Sequence, residues 1–320
     1  MRRVGVVTAG GDAPGMNAAI RAIVRSAAYN GLEVVGIERG YAGLLEGRFR
    51  ILDRRSVSGI INRGGTILRT VRCKEIRSDE GIERAADFLK SINIDGLIAI
   101  GGDGTFRGAS RLYKASGIPM IGVPATIDND VSGTDTTIGF DTAVNTALNA
   151  IDKIRDTATS HERIFIVEVM GRNRGFIALE VGLAGGAEII LIPEIKLDLN
   201  KICERIKRDR EEGKVSEIIV MAEGAGDSRL VTEYVAKKTG YNVRLAVLGH
   251  IQRGGTPTAL SRTLACEFGQ KAVELMLTGE RKRMVGIKGN EVTSVDLDYS
   301  WMVEKKIDLS RYKLAKILSL

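Results

Sequence analysis

An α/β fold of two similar lobes with mainly parallel sheets is the class this sequence predicts, and three observations carry it. Short apolar runs of strand length alternate with segments whose apolar residues recur at helical spacing. The junctions between them are rich in glycine, most densely at Gly101-Gly102-Asp103-Gly104-Thr105 after the run Gly96–Ile100. The same βα rhythm starts afresh near residue 160, and 320 residues are long for one core, so two lobes facing across a cleft are expected.

Composition narrows the function classes. With 44% hydrophobic and 27% charged residues the chain is globular, without a low-complexity block or a repeat of 20–50 residues. Met1-Arg2-Arg3 runs into a short apolar strand, too short for a signal-peptide core, and no apolar run approaches the ~18 residues of a membrane span. A cytoplasmic protein with no membrane partner is expected. Cys73, Cys203 and Cys266 are odd in number and far apart, which fits reduced thiols better than disulfides or zinc ligands. The net charge of +7 invites a nucleic-acid reading, but aromatics are only 5% and no basic tract carries stacking residues. Many arginines instead sit singly beside glycines at strand ends, as discrete phosphate sites require. No nucleic-acid partner is expected.

The elements follow in order. Val4–Val7 reads as a buried strand leading into Gly10-Gly11-Asp12-Ala13-Pro14-Gly15. Ile20, Ile23, Val24 and Ala27 then line one face of a helix that stops near Asn30-Gly31. The turn has neither the spacing of GxGxxG nor that of a P-loop, and a plain strand-to-helix turn explains its glycines equally well. Arg21 and Arg25 share one helix face, which by itself suits a solvated edge.

Glu33–Ile37 is a second strand, followed by a glycine-spaced region to Asp53 and a turn at Asn62-Arg63-Gly64-Gly65-Thr66. Ser78 is placed to N-cap a helix with Ile82, Ala85, Ala86 and Leu89 inside. Next come the Gly101–Thr105 turn, a helix with Phe106, Ala109, Leu112 and Tyr113, the strand Ile121–Val123, and Pro124-Ala125-Thr126-Ile127-Asp128-Asn129-Asp130. Both turns belong at strand C-terminal ends, the edge where open α/β sheets bind ligands. Asp103, Asp128 and Asp130 beside bared amides suit a magnesium-nucleotide and a hydroxyl to be deprotonated.

A long helix is expected from Asp141 to about Ser160, with Arg155 near its end and His161 and Arg163 beyond. The later strands end in Met170-Gly171-Arg172, Pro193-Glu194, Glu223-Gly224 and Gly249-His250-Ile251-Gln252-Arg253. Three of these four ends put an arginine or carboxylate beside glycine, as a shared ligand edge would. A helix with Leu264, Phe268, Ala272 and Met276 opens after Pro257, and the tail from Lys282 is mixed.

With those residues in place, the chain resembles the bacterial ATP-dependent 6-phosphofructokinases nearly end to end. GGDAPGMNAAIR, INRGGT, IGGDGT, TIDND, MGRNRG, AEG and LGHIQRGG all appear in the family's order. GGDGT is shared with other kinases, whereas TIDND with GHIQRGG is far more specific. The resemblance implies two Rossmann-like three-layer lobes with the active site in the cleft between them. It assigns ATP to residues 1–139 with 252–302, and fructose 6-phosphate to 140–251 with 303–320. The implied reaction moves the ATP γ-phosphoryl group to the sugar's 1-hydroxyl.

The resemblance also assigns roles. Asp128 would be the general base, Thr126 and Asp130 would hold the reacting groups, and Arg72, Arg172 and the Gly11 amide would neutralise the moving phosphoryl. Asp103 would meet Mg2+ arriving with ATP, and Gly11, Arg72, Cys73, Gly102, Gly104 and Thr105 would line the ATP site. Thr126, Ile127, Asp128, Met170, Gly171, Arg172 and Glu223 would contact the sugar. His250 and Arg253, with Arg163 and Arg244 of a neighbouring subunit, would take its 6-phosphate. A homotetramer is implied, with an effector site for ADP or GDP and phosphoenolpyruvate at Arg21, Arg25, Arg54, Arg155, Gly186, Glu188 and Lys214. Through this resemblance the Arg21/Arg25 pair becomes a phosphate clamp.

Departures are local. Ala125 replaces the family's usual glycine, so Ala125→Gly is expected to change nucleotide affinity more than sugar affinity. Pyrophosphate-using relatives typically carry lysine at that position and aspartate in place of Gly104. Glu212, Val215 and Gly59 replace polar or basic residues near the implied effector site, so altered control is expected. The rival readings are a related GGDGT kinase such as an NAD kinase, a pyrophosphate-dependent phosphofructokinase, and a non-catalytic sugar-phosphate or nucleotide sensor.

Overall fold

The computed structural model describes residues 1–319. The chain forms two compact units, Met1–Thr142 with Arg253–Lys305, and Ala143–Gln252 with the residues from Lys306 onward. The first begins with β1 (Arg3–Thr8), α1 (Met16–Tyr29), β2 (Glu33–Ile37), α2 (Tyr41–Glu46) and β3 (Phe49–Leu52). It continues through α3 (Asp79–Ser91), β4 (Gly96–Gly101), α4 (Asp103–Ser116), β5 (Met120–Thr126) and the two-residue β6 (Ile138–Gly139). The chain leaves this unit within α5 (Phe140–Ser160).

The second unit adds β7 (Ile164–Val169), α6 (Phe176–Ala184), β8 (Ile189–Leu191), α7 (Leu199–Glu211), β9 (Glu217–Ala222), α8 (Ser228–Thr239) and β10 (Val243–Val247). The chain then returns to the first unit for α9 (Ala259–Leu277), β11 (Lys282–Lys288), β12 (Glu291–Asp296) and α10 (Tyr299–Met302). It ends in the second unit on α11 (Leu309–Leu318).

The sheet of the first unit runs β12-β11-β5-β4-β1-β2-β3, with β6 paired to the end of β5. Only β2–β3 and β11–β12 are antiparallel among its described pairs. Leu97, Ile98, Ala99 and Ile100 of β4 are all fully buried, which is why that strand reads as a continuous apolar run rather than an alternation. The expected apolar stripes of α1, α3, α4 and α9 point inward, Tyr113 being only partly covered. Ser78 caps α3 by accepting from the Gly81 amide at 3.1 Å. In the second unit β10-β7-β9-β8 is wholly parallel.

Two segments carry more structure than their composition announces. The glycine-spaced stretch before Asp53 contains α2 and β3, and the mixed tail from Lys282 is the β11–β12 hairpin at the sheet edge. Neither β3 nor β12 keeps a regular alternation of apolar and polar residues, and both are largely open to solvent at the sheet edges. The returning α9 packs directly on α1. A Cβ on Gly269 would lie 2.6 Å from Ala22 Cβ and 3.1 Å from the Ala19 carbonyl, so this contact demands small residues on both helices.

Candidate active site

In the first unit, β1 is flanked by β2 on one side and β4 on the other, so the chain reverses its direction of growth across the sheet there. The crevice outside the C-terminal ends of such strands is the ligand site of open α/β sheets. Gly10 and Gly11 follow β1, and Gly102 and Asp103 follow β4, so the two glycine turns meet at this point. Thr105 Oγ1 donates to the Ala9 carbonyl at 2.8 Å and joins them. Gly101 must lack a side chain, because a Cβ would fall 2.3 Å from Thr105 Oγ1 and 2.5 Å from the Ala9 carbonyl.

The first turn of α4 has no side-chain cap, leaving amides directed at the crevice. Asp103 opens that helix, partly exposed, with Arg107 Nη2 3.5 Å away. Gly104 is exposed, and a Cβ there would meet nothing within 4 Å. Thr8 Oγ1 donates to the Arg69 carbonyl at 3.0 Å and Thr70 Oγ1 to the Gly10 carbonyl at 2.8 Å. These bonds draw in the segment with exposed Arg72 and partly buried Cys73. Arg253 Nη1 donates to the Asp12 carbonyl at 3.3 Å and crowds the α-carbon of Gly11. Arg253, expected at the sugar phosphate, therefore stands against the β1 turn.

The acidic turn leaves β5 at Thr126. The Asp128 amide donates to Thr126 Oγ1 at 3.2 Å, and that oxygen lies 3.5 Å from Asp128 Oδ2. Ile127 and Asp128 are fully buried, while Asp130 is partly exposed. Ala125 is fully buried as well. This corrects the expectation for its methyl: the group is enclosed by protein, and no bound nucleotide can touch it without a rearrangement.

In the second unit the loop after β7 is fixed from two directions. Glu223 Oε1 accepts from the Gly171 amide at 3.2 Å and from the Arg172 amide at 2.7 Å. Gln252 Oε1 accepts from the Met170 amide at 2.9 Å. Arg172 takes a positive φ of 53°. Met170, Gly171, Arg172 and Glu223 thus converge on one sheet edge, while His250 is exposed on its own turn. Arg163 and Arg244 do not join them. Arg163 precedes β7 and Arg244 pairs with Phe165, at the N-terminal end of a six-residue strand whose ends lie roughly 17 Å apart.

The expected effector residues fall into both units. Arg21, Arg25 and Arg54 belong to the first and make no ion pair among the described residues. The second assembles the other four. Arg155 Nη2 donates to the Gly185 and Gly186 carbonyls at 2.7 and 2.8 Å. Glu188 lies 3.5 Å from Arg155 and 3.9 Å from Lys214, and accepts from the Ile218 amide at 2.6 Å. Next to this cluster, Glu217 is 1% exposed and both its carboxylate oxygens lack a hydrogen bond. Burial first, then the Asp209 and Glu188 carboxylates, push its pKa up to about 7. Of the departures, Gly59 has φ 67° in a turn, where a side chain is strained, and Glu212 and Val215 are exposed.

Several working residues escaped the sequence reading. Asn17 donates to the Arg63 and Gly64 carbonyls at 3.1 and 3.0 Å and accepts from the Ile67 amide at 2.7 Å, shaping the INRGGT turn. Its motif was visible, but a polar residue on a helix facing a loop 46 residues away has no local signature. Gln252 and Asn129 likewise sit inside the quoted motifs without announcing their partners.

No cluster of three or more histidine, cysteine or carboxylate side chains suited to a metal exists among the described residues. The accessible carboxylate of Asp103, beside bared amides, fits a magnesium ion that arrives on a nucleotide and keeps most of its waters. No helix is long and apolar enough to cross a membrane among those residues.

The family described as Phosphofructokinase matches residues 3–276. An ATP-dependent 6-phosphofructokinase of Halothermothrix orenii is 53% identical over 332 residues, covering 100% of both chains. The crystal structure of Pichia pastoris phosphofructokinase in the T-state superposes with a TM-score of 0.87 at 35% identity, over 93% of this chain and 35% of that longer one. A pyrophosphate-dependent phosphofructokinase from Marinobacter aquaeolei gives 0.86 at 25% identity, over 97% and 86%.

Proposed function

The chain belongs to the phosphofructokinase family, and from that membership we propose that it is a cytoplasmic, glycolytic ATP-dependent 6-phosphofructokinase. It transfers the ATP γ-phosphoryl group to the 1-hydroxyl of fructose 6-phosphate and releases fructose 1,6-bisphosphate and ADP. The observation that carries the choice of donor is the full-length 53% identity to a protein of that name. The exposed, side-chain-free Gly104 agrees with it.

The first unit holds ATP and the second the sugar. Phosphoryl transfer asks the protein to position the reactants, neutralise charge and accept one proton. Asp128 takes the proton of the sugar hydroxyl, a role worth about 10²–10⁴-fold. Its support is the fixed Thr126–Asp128 geometry at the end of β5. Asp130 and Thr126 orient the reacting groups. Arg72, Arg172 and the Gly11 amide stabilise charge on the moving phosphoryl, where fixed donors act most strongly. Asp103 would hold a Mg2+ ion arriving with the nucleotide, which would supply charge neutralisation on the phosphates. Glu223, Met170 and Gly171 shape the sugar site, and His250 and Arg253 take its phosphate with Arg163 and Arg244 of a neighbour in a homotetramer. The placement of Arg163 and Arg244 at the far end of β7 supports their serving another subunit's site.

A coupled assay with fructose 6-phosphate and ATP tests this reading, run on wild type and Asp128→Asn. Turnover in the wild type and a loss of several powers of ten in kcat, with fructose 6-phosphate binding retained, are expected. Near-normal turnover in the variant would dismiss Asp128 as the base.

The effector site is proposed at Arg21, Arg25, Arg54, Arg155, Gly186, Glu188 and Lys214, for ADP or GDP and phosphoenolpyruvate. The exposed Glu212 carboxylate repels an anion there, so control is weakened while catalysis is intact. Titrating ADP and phosphoenolpyruvate at subsaturating fructose 6-phosphate decides it, and a strong response to both at ordinary effector levels refutes weakened control.

A further inference from the structure

Asn129 stands between the two carboxylates of the acidic turn and has φ 52°, in the left-handed region that asparagine adopts more readily than other non-glycine residues and that its surroundings here fix. That backbone reversal decides how the Asp128 and Asp130 side chains leave the chain. What enforces it is a closed set of hydrogen bonds around the Asn129 amide group. Its Nδ2 donates to the Asp135 carbonyl at 3.3 Å, and its Oδ1 lies 3.4 Å from Thr137 Oγ1. Thr137 Oγ1 itself donates to the Thr126 carbonyl at 2.6 Å, closing the set onto the end of β5.

The strongest member comes from 176 residues away. Lys305 Nζ donates to Asn129 Oδ1 at 2.8 Å and to the Asp135 carbonyl at 3.0 Å. A charged donor at this distance makes a stronger bond than a neutral one. The segment carrying it is tied down as well, because Ser132 Oγ donates to the Val303 carbonyl at 2.6 Å and the Ser132 amide to the Ser300 carbonyl at 3.3 Å. Lys305 is the last residue of the first unit before the chain departs. We propose that Lys305 is a positioning residue for phosphoryl transfer, its ammonium locking Asn129 in the left-handed conformation that aims the Asp128 and Asp130 carboxylates. The proposal rests on Asp128 being the base.

The ammonium is costly to keep there. Burial lowers the Lys305 pKa to about 8, against the opposing pull of the Asp135 and Asp130 carboxylates, the charged groups that face it. Above that pH the amine is neutral, its hydrogen bonds weaken to the ordinary kind, and Asp130 loses a counter-charge. The lock therefore loosens in a pH range where an arginine in its place stays charged.

The experiment compares wild type, Lys305→Met and Lys305→Arg as full-length enzymes, by coupled assay with fructose 6-phosphate and ATP from about pH 7 to about pH 10. Turnover of the wild type is scored first. If it is absent, the kinase reading fails, and the positioning role fails with it. With an active wild type, Lys305→Met is expected to lower kcat about 10- to 100-fold, the cost of a modest misplacement of reacting groups. Both KM values should stay within about threefold, since uniform binding is untouched. The wild-type kcat should fall on the alkaline side around pH 8, and Lys305→Arg should move that fall upward while keeping most of the neutral-pH turnover. Unchanged kcat in Lys305→Met, or the same alkaline fall in wild type and Lys305→Arg, would overturn the proposal. Should the methionine variant not fold, as judged by circular dichroism, the arginine variant and its pH profile decide alone.

Discussion

The Glu223 carboxylate and the Arg172 backbone amide are joined at 2.7 Å, and the same oxygen holds the Gly171 amide at 3.2 Å. A residue expected to contact the sugar is thus also the brace that sets the loop presenting Arg172. Glu223→Ala removes the acceptor of two amides at once. Bonds to a charged group are worth about 1.5–3 kcal/mol each, so kcat/KM for fructose 6-phosphate should fall at least about tenfold. KM for ATP should barely move. Steady-state kinetics with each substrate varied in turn measures the split.

Gly104→Asp should be tolerated by the fold, because the position is exposed and a side chain meets no protein atom within 4 Å. A carboxylate in the first turn of α4 even favours the helix by about 0.3–1 kcal/mol. It does, however, set a second negative charge next to Asp103 where polyphosphate is expected. KM for ATP should rise about tenfold or more, a cost of roughly 1.4 kcal/mol, with thermal stability unchanged. Differential scanning fluorimetry together with an ATP titration checks both halves.

Ala125→Gly should act on stability and leave the donor alone. The variant loses a buried methyl, about 0.8 kcal/mol, and adds strand-glycine entropy of about 0.5–1 kcal/mol. A lower Tm with KM for ATP within about twofold is expected. A large change in ATP affinity at constant Tm contradicts it.

Glu217 makes stability depend on pH in a defined direction. Its folded pKa of about 7 lies above the ordinary glutamate value of 4.5, so between these values the folded state holds more protons than the unfolded one. Stability from this group is complete below the lower value and is lost as pH rises to about 7. The loss is about 3 kcal/mol at most. Glu217→Gln should match wild type near pH 4.5 and exceed it above pH 7, as urea midpoints across that range will report.

The strands and helices legible in the sequence are those that a single period describes. The β4 run and the stripes of α1, α3, α4 and α9 are buried as their spacing demands. The β3 and β12 segments were obscure because short edge strands mix partly exposed apolar residues with charged and polar ones, leaving weak alternation. The glycine and acid turns were readable as motifs because their chemistry is local. The partners that hold them, Arg253 on the Asp12 carbonyl and Lys305 on Asn129, lie 241 and 176 residues away and have no local trace. Ala125 was misjudged for a related reason: sequence names the added methyl but not the direction in which it points.

The return of residues 253–305 to the first unit has a consequence for biosynthesis. While the chain emerges from the ribosome, the Met120–Gly122 part of β5 lacks the partner it finds in β11 until Lys282–Lys288 is made. An apolar strand with an open edge is a template for wrong pairing, and it must wait through the synthesis of more than 150 residues. The second unit's β7–β10 sheet is contiguous in the chain and can close first. The second unit is therefore expected to complete its sheet before the first, and nascent chains truncated before β11 should be those that engage chaperones most strongly.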